Sequence, residues 1–197
     1  MIFDYPEPRA ERIHGPMGYS SYDSFRPWLR DEFTFRCIYC LKREAWGQVT
    51  GDFELDHFEP QSLVPERSFD YFNLVYSCRR CNHVKLDRQV EDPLTTLSSG
   101  HIIVLPDGRI SSKRFETQRL IRQLDLNSPM LVKWRIMWMR IIDLASERDS
   151  ILYHQLTGFP DDLPNLRRLK PPSNSRPEGI EISWHAKRQR GQLPDAY

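Results

Sequence analysis

The chain has 197 residues, 39% of them apolar and 28% charged, with a formal net charge of +1. That length suffices for one domain, or a small domain with an appended helical part, and for a sizeable core that needs no disulfides. No run of about 18 apolar residues is present, so no membrane span is expected. A near-neutral total neither favours nor excludes a nucleic-acid partner, because local patches decide that.

Residues 1–20 read as an extended N-terminal arm with Pro6, Pro8 and Pro16. They lack the apolar stretch of a secretory signal, which leads to the expectation of a reducing, cytoplasmic location. In such a compartment paired cysteines more often hold metal than form disulfides. Residues 21–90 contain all four cysteines. A short helix is expected within Ser21 to Phe35, with Pro27 near its start and Trp28, Leu29 and Phe33 on one face. Trp46 to Val49 and Phe53 to His57 read as two strands joined by a turn at Thr50-Gly51-Asp52. A loop is expected from Phe58 to Phe72 and a helix from Cys78 to about Asp87. Residues 91–156 read as a supporting hairpin and helices. His101 to Leu105 and Arg109 to Ser112 flank the turn Pro106-Asp107-Gly108. One helix is expected over Phe115 to Leu126, and another from the cap Ser128-Pro129 to about Leu156, bearing a stripe through Trp134 and Trp138. Residues 157–197 form a Pro/Arg-rich C-terminal segment, read as partly irregular.

The cysteines occur as Cys37-x-x-Cys40 and Cys78-x-x-Cys81. A two-residue spacer lets both sulfurs of a knuckle reach one ion, and two knuckles complete a closed tetrahedral zinc site. Closed sites are structural, because catalytic zinc keeps a position for water or substrate. A redox Cys-x-x-Cys would more naturally occur once, in a βαβ setting that is missing here.

Between the knuckles lies Leu55-Asp56-His57-Phe58-Glu59-Pro60, followed by Asn73-Leu74-Val75. The second knuckle reads Cys78-Arg79-Arg80-Cys81-Asn82-His83-Val84-Lys85. In this order the elements resemble the HNH endonuclease family in its form stapled by a four-cysteine zinc site. The resemblance covers residues 37–85, with Asn82 at a family position often held by histidine.

It implies an α+β fold: a ββα-metal (HNH, or His-Me finger) core with structural zinc, here with a hairpin and a mainly α-helical C-terminal extension. It implies phosphodiester hydrolysis, more readily of DNA than RNA. A neutral imidazole suits His57 to the general base. Asp56 and the Asn82 side-chain oxygen are hard ligands suited to a catalytic Mg²⁺ or Mn²⁺. On a regular strand Asp56 and His57 face apart, so the resemblance implies a local bend that turns both to the site. It gives Asn73 the task of constraining the loop and orienting His57. Arg79, Arg80 and Lys85 are candidate phosphate contacts beside a helix N-terminus.

Weaker similarity of the region around Pro106-Asp107-Gly108 and Leu124-Asp125-Leu126-Asn127 to small bacterial HNH proteins implies anti-phage defence, in some cases beside an ATPase partner. The alternative is a catalytically inactive zinc module that binds nucleic acid or a protein partner.

Overall fold

The computed structural model describes residues 2–9, 11–47 and 52–197. In chain order the elements are β1 (Pro16–Met17), α1 (Arg26–Glu32), β2 (Phe53–His57), β3 (Leu74–Cys78), α2 (Arg79–Lys85), α3 (Pro93–Thr96), β4 (Ile103–Val104), β5 (Ile110–Ser111), α4 (Phe115–Gln123), α5 (Pro129–Arg148), α6 (Ser150–Thr157), β6 (Ser173–Asn174) and α7 (Trp184–Gln189). Helices mix with three small antiparallel sheets, pairing β1 with β6, β2 with β3 and β4 with β5. No helix among the described residues is long and apolar enough to cross a membrane.

The central unit is β2–β3–α2. Its register runs from Phe53 opposite Cys78 to His57 opposite Leu74. Every residue of β3 is buried, which suits a strand covered on both faces. Across the pair the Phe53 and Tyr76 rings stack at 5.0 Å. Among the described residues β2 pairs with β3, and of the segment 46–49 expected beside it only Trp46 and Gly47 are described. Trp46 closes a 3-10 turn over Glu44–Trp46, while residues 48–51, and with them most of the expected turn, lie outside the described residues. The strand that pairs with β2 begins just after Asn73 and delivers Cys78 beside the other thiols.

Helix α1 starts at Arg26, with Pro27 in its first turn, and buries Trp28 and Leu29. The expected continuous helix after Ser128 is divided. Ser128 caps α5 by accepting from Leu131 N, but Asp149 adopts an extended φ of −148° and caps α6 by accepting from Leu152 N. A capping aspartate satisfies free N–H groups at a new helix start, which favours the break over one long helix. Between β4 and β5, Gly108 has φ +77°, and a Cβ there would lie 2.7 Å from the Val132 carbonyl oxygen of α5. Arg135 of α5 donates to the Gly108 carbonyl at 2.7 Å and also to the Leu126 carbonyl, fastening the hairpin to the helix.

The chain ends are tied to the body. Tyr5 donates to the Tyr39 carbonyl at 2.7 Å, and buried His14 pairs with Asp31 at 2.9 Å. Trp184 N donates to the same Asp31, and the Tyr197 ring lies under the Arg43 guanidinium. One apolar cluster includes Phe3, the four cysteines, Leu120 and Leu166, so residues from all four sequence sections share a core. Trp134 and Trp138 pack against it, with Trp138 stacked on Trp46 at 4.4 Å.

Candidate active site

The first knuckle is a tight turn. Cys37 N donates to the Lys42 carbonyl, Leu41 N donates to the Cys37 carbonyl, and Leu41 takes a left-handed φ of +61°. A branched residue there carries strain that the surrounding contacts must offset. Ile38 N donates to the Tyr76 carbonyl and docks the knuckle on β3. The second knuckle spans a strand-to-helix junction: Cys78 ends β3 and caps α2, and Cys81 lies in the first helical turn.

All four sulfurs lie within 4.8 Å of one another, and all four cysteines are buried. The Cys40 and Cys78 sulfurs are 3.7 Å apart. That is far beyond a disulfide of about 2.0 Å. It matches the edge of about 3.8 Å for a tetrahedron of sulfurs each about 2.3 Å from one ion. Hydrogen bonds from the other three thiols pull Cys78 far down, whereas burial pushes Cys37 up and its neighbours push Cys81 up. Four crowded sulfurs do not all ionise by themselves, but a divalent cation at their centre favours the thiolates. The donor set and spacing fit zinc.

Each knuckle sends one side chain to Asp56. Tyr39, between Cys37 and Cys40, donates to Asp56 Oδ2 at 2.6 Å. Lys85, at the end of α2, donates to Asp56 Oδ1 at 3.0 Å and to the His57 carbonyl at 2.6 Å. Burial pushes the Asp56 carboxyl above its ordinary range, against the Lys85 and Tyr39 contacts that pull it down. Burial and the neighbouring Asp56 push the Tyr39 phenol well up, so it remains a donor. Lys85 is only 1% exposed and is turned into the protein, not toward a surface phosphate.

Asn82 donates to Glu54 Oε2 at 2.7 Å. Strand residues two apart, Glu54 and Asp56, thus face helix residues three apart, Asn82 and Lys85, as two rungs. The contacts of Asp56 and those of Asn82 lead to different partners. Arg80 bonds the Leu124 carbonyl and Asp125, joining α2 to the end of α4. Arg79 is largely exposed, with Glu54 at 3.7 Å.

His57 is half-buried. Regular pairing runs through 56↔75 and 57↔74, and the His57 ring takes separate partners from Asp56. Its Nε2 lies 2.9 Å from the Ser68 carbonyl oxygen, with the Gln61 amide 3.3 Å from the same nitrogen. The Ser68 carbonyl only accepts, so that contact calls for the tautomer with the proton on Nε2 and the lone pair on Nδ1, whereas the longer Gln61 amide contact calls for the opposite one. Tyr22 sets its ring edge-on to His57 at 5.5 Å.

Asn73 is fully buried and grips the loop between β2 and β3. Its side chain accepts from Glu59 N and donates to the Glu59 carbonyl, both at 3.0 Å, and reaches the Arg67 carbonyl at 3.4 Å. Arg67 adds ion pairs to Glu59 and Asp70. These contacts fix the segment that presents the Ser68 carbonyl. Sequence reasoning gave no role to Tyr39, Glu54, Ser68 or Tyr22. The alternation of β2 places Glu54 on the Asp56 face, and Tyr39 sits inside a knuckle; Ser68 and Tyr22 carry no comparable pattern.

An antiparallel strand pair feeding a short helix, clamped by a four-thiol site, defines a thiol-framed ββα unit. Residues 37–88 match the family model described as HNH endonuclease. No curated protein sequence matches the chain.

Proposed function

We propose that the protein is a metal-dependent HNH endonuclease that hydrolyses phosphodiester bonds in DNA, with His57 as general base. The observation that carries this reading is the Ser68 carbonyl on His57 Nε2. It favours the tautomer whose Nδ1 can accept a proton from an attacking water. Asn73 supports that arrangement by holding the loop that bears Ser68.

Asp56 and Asn82 would hold a Mg²⁺ or Mn²⁺ ion, Asp56 retaining lone pairs beyond its two contacts and Asn82 offering its side-chain oxygen. Such an ion stabilises charge on the phosphate and the leaving oxygen. Tyr39 and Lys85 keep the Asp56 side chain in one place. Arg79 is the exposed candidate for a phosphate contact. We include in the same reading a place in anti-phage defence beside an ATPase partner, supported by the resemblance around residues 106–127.

The enclosure of Asp56 by Tyr39 and Lys85 is the feature that favours a second reading, a zinc module that binds without cutting. Plasmid cleavage with Mg²⁺ or Mn²⁺ separates the two. Wild type should cut and His57→Ala should not; equal products from both proteins would overturn the mechanism.

A further inference from the structure

We infer that Tyr22 and Phe69 form a stacking subsite for an unpaired nucleobase next to the scissile phosphate, so that the protein prefers single-stranded DNA to duplex. This rests on the nuclease reading of the site and names its substrate class.

Tyr22 is 41% exposed and Phe69 52% exposed. Tyr22 contacts His57 edge-on, and Phe69 is joined by one peptide bond to Ser68, the residue whose carbonyl meets that ring. Leu63, 58% exposed, lies in the same loop. Large exposed apolar side chains carried beside a polar catalytic group mark a contact surface more than isolated exposure elsewhere does.

The charges nearby indicate what it contacts. Arg67 is tied to Glu59 and Asp70, Arg26 to Asp23, and Lys85 to Asp56. Arg88 bonds the carbonyls of Lys85 and Val84 at the end of α2. Arg67, Arg26 and Lys85 are thus matched by carboxylates, which leaves the exposed Arg79 and Arg88 for phosphates, little charge for tracking both strands of a duplex. Aromatic faces, in contrast, accept any base that is free of its stack, and this binding is tolerant of sequence. A stacked duplex hides those base faces, whereas a single strand offers them.

The test is a titration of fluorescein-labelled single-stranded DNA, its duplex and an abasic strand of the same length with the His57→Ala protein, which binds without cutting. The single strand should bind more tightly than either control. Adding Tyr22→Leu should weaken single-strand binding by about tenfold, the scale of one lost base stack, while Tyr22→Phe and Tyr22→Trp retain it. Equal binding of the abasic strand, or no loss with Tyr22→Leu, would overturn the proposal. If Tyr22→Leu fails to fold by thermal melting, Phe69→Leu takes its place with the same expected loss and the same overturning result. Cleavage by wild type is scored separately: a protein that cuts duplex in preference contradicts the subsite and leaves the nuclease reading intact, whereas one that cuts nothing contradicts that reading.

Discussion

Cys37, Cys40, Cys78 and Cys81 are buried with their sulfurs gathered at one point, while the loop from residue 58 to 72 that follows His57 is largely exposed between Gln61 and Phe69. Two anchors hold that loop, the Asn73 side chain and the ion pairs of Arg67. The thiol frame is held by buried contacts and is set to hold a metal ion, and the loop is held by a few hydrogen bonds. The first can fix the Tyr39–Asp56–Lys85 line rigidly. The second leaves His57 half-buried rather than enclosed. Rigidity behind the site and access in front of it are assigned to different parts of the chain.

The largest effect should come from the frame. Cys78→Ser, or a strong chelator, should remove zinc and unfold the β2–β3–α2 unit together, because structural zinc contributes on the order of 10 kcal/mol to small domains. Metal analysis with circular dichroism checks this; a folded, metal-free protein would break the contrast. Next is Lys85→Met, which leaves the buried Asp56 without its ammonium partner. Breaking a buried pair from one side costs about 3–5 kcal/mol, read as a lower denaturation midpoint. A midpoint close to wild type would show that Lys85 is not the counter-charge.

Asn73→Ala should cost less, about 1–3 kcal/mol for the backbone groups of Glu59 left without partners. Its cutting should fall more than its stability, since the Ser68 carbonyl moves with the loop. Cutting that simply follows the folded fraction would argue against that link. Smallest is Arg79→Ala. Being 74% exposed at its side chain, it should change stability by no more than about 0.5 kcal/mol. It should lower the salt dependence of DNA binding by about one unit of slope, measured by titration at several salt concentrations.

The frame was the more legible region in the sequence. Two Cys-x-x-Cys spacers state their geometry directly, and Ser128-Pro129 marks a helix start that the structure places there. Long-range pairing was not legible: local alternation suggested 46–49 beside β2 and gave no sign of β3, the strand that pairs with it across a loop. The break at Asp149 was hidden because apolar spacing continues across it, while a single capping carboxylate decides it. Within the site, the sequence order singled out Asp56, His57, Asn73 and Asn82. It could not convey that Lys85 points inward, since a lysine next to a zinc knuckle reads equally as a surface charge, and burial depends on the Asp56 opposite it. Nor could it pair His57 with Ser68, a contact made through a backbone carbonyl that any residue type supplies.

The separation between a structural frame and a reactive histidine is tested most directly by measuring zinc content and DNA cutting on one preparation of His57→Ala. A full complement of zinc with cutting reduced by about a hundredfold to ten-thousandfold, the usual contribution of a general base, is the expected result. Undiminished cutting, or zinc lost together with the activity, would contradict it.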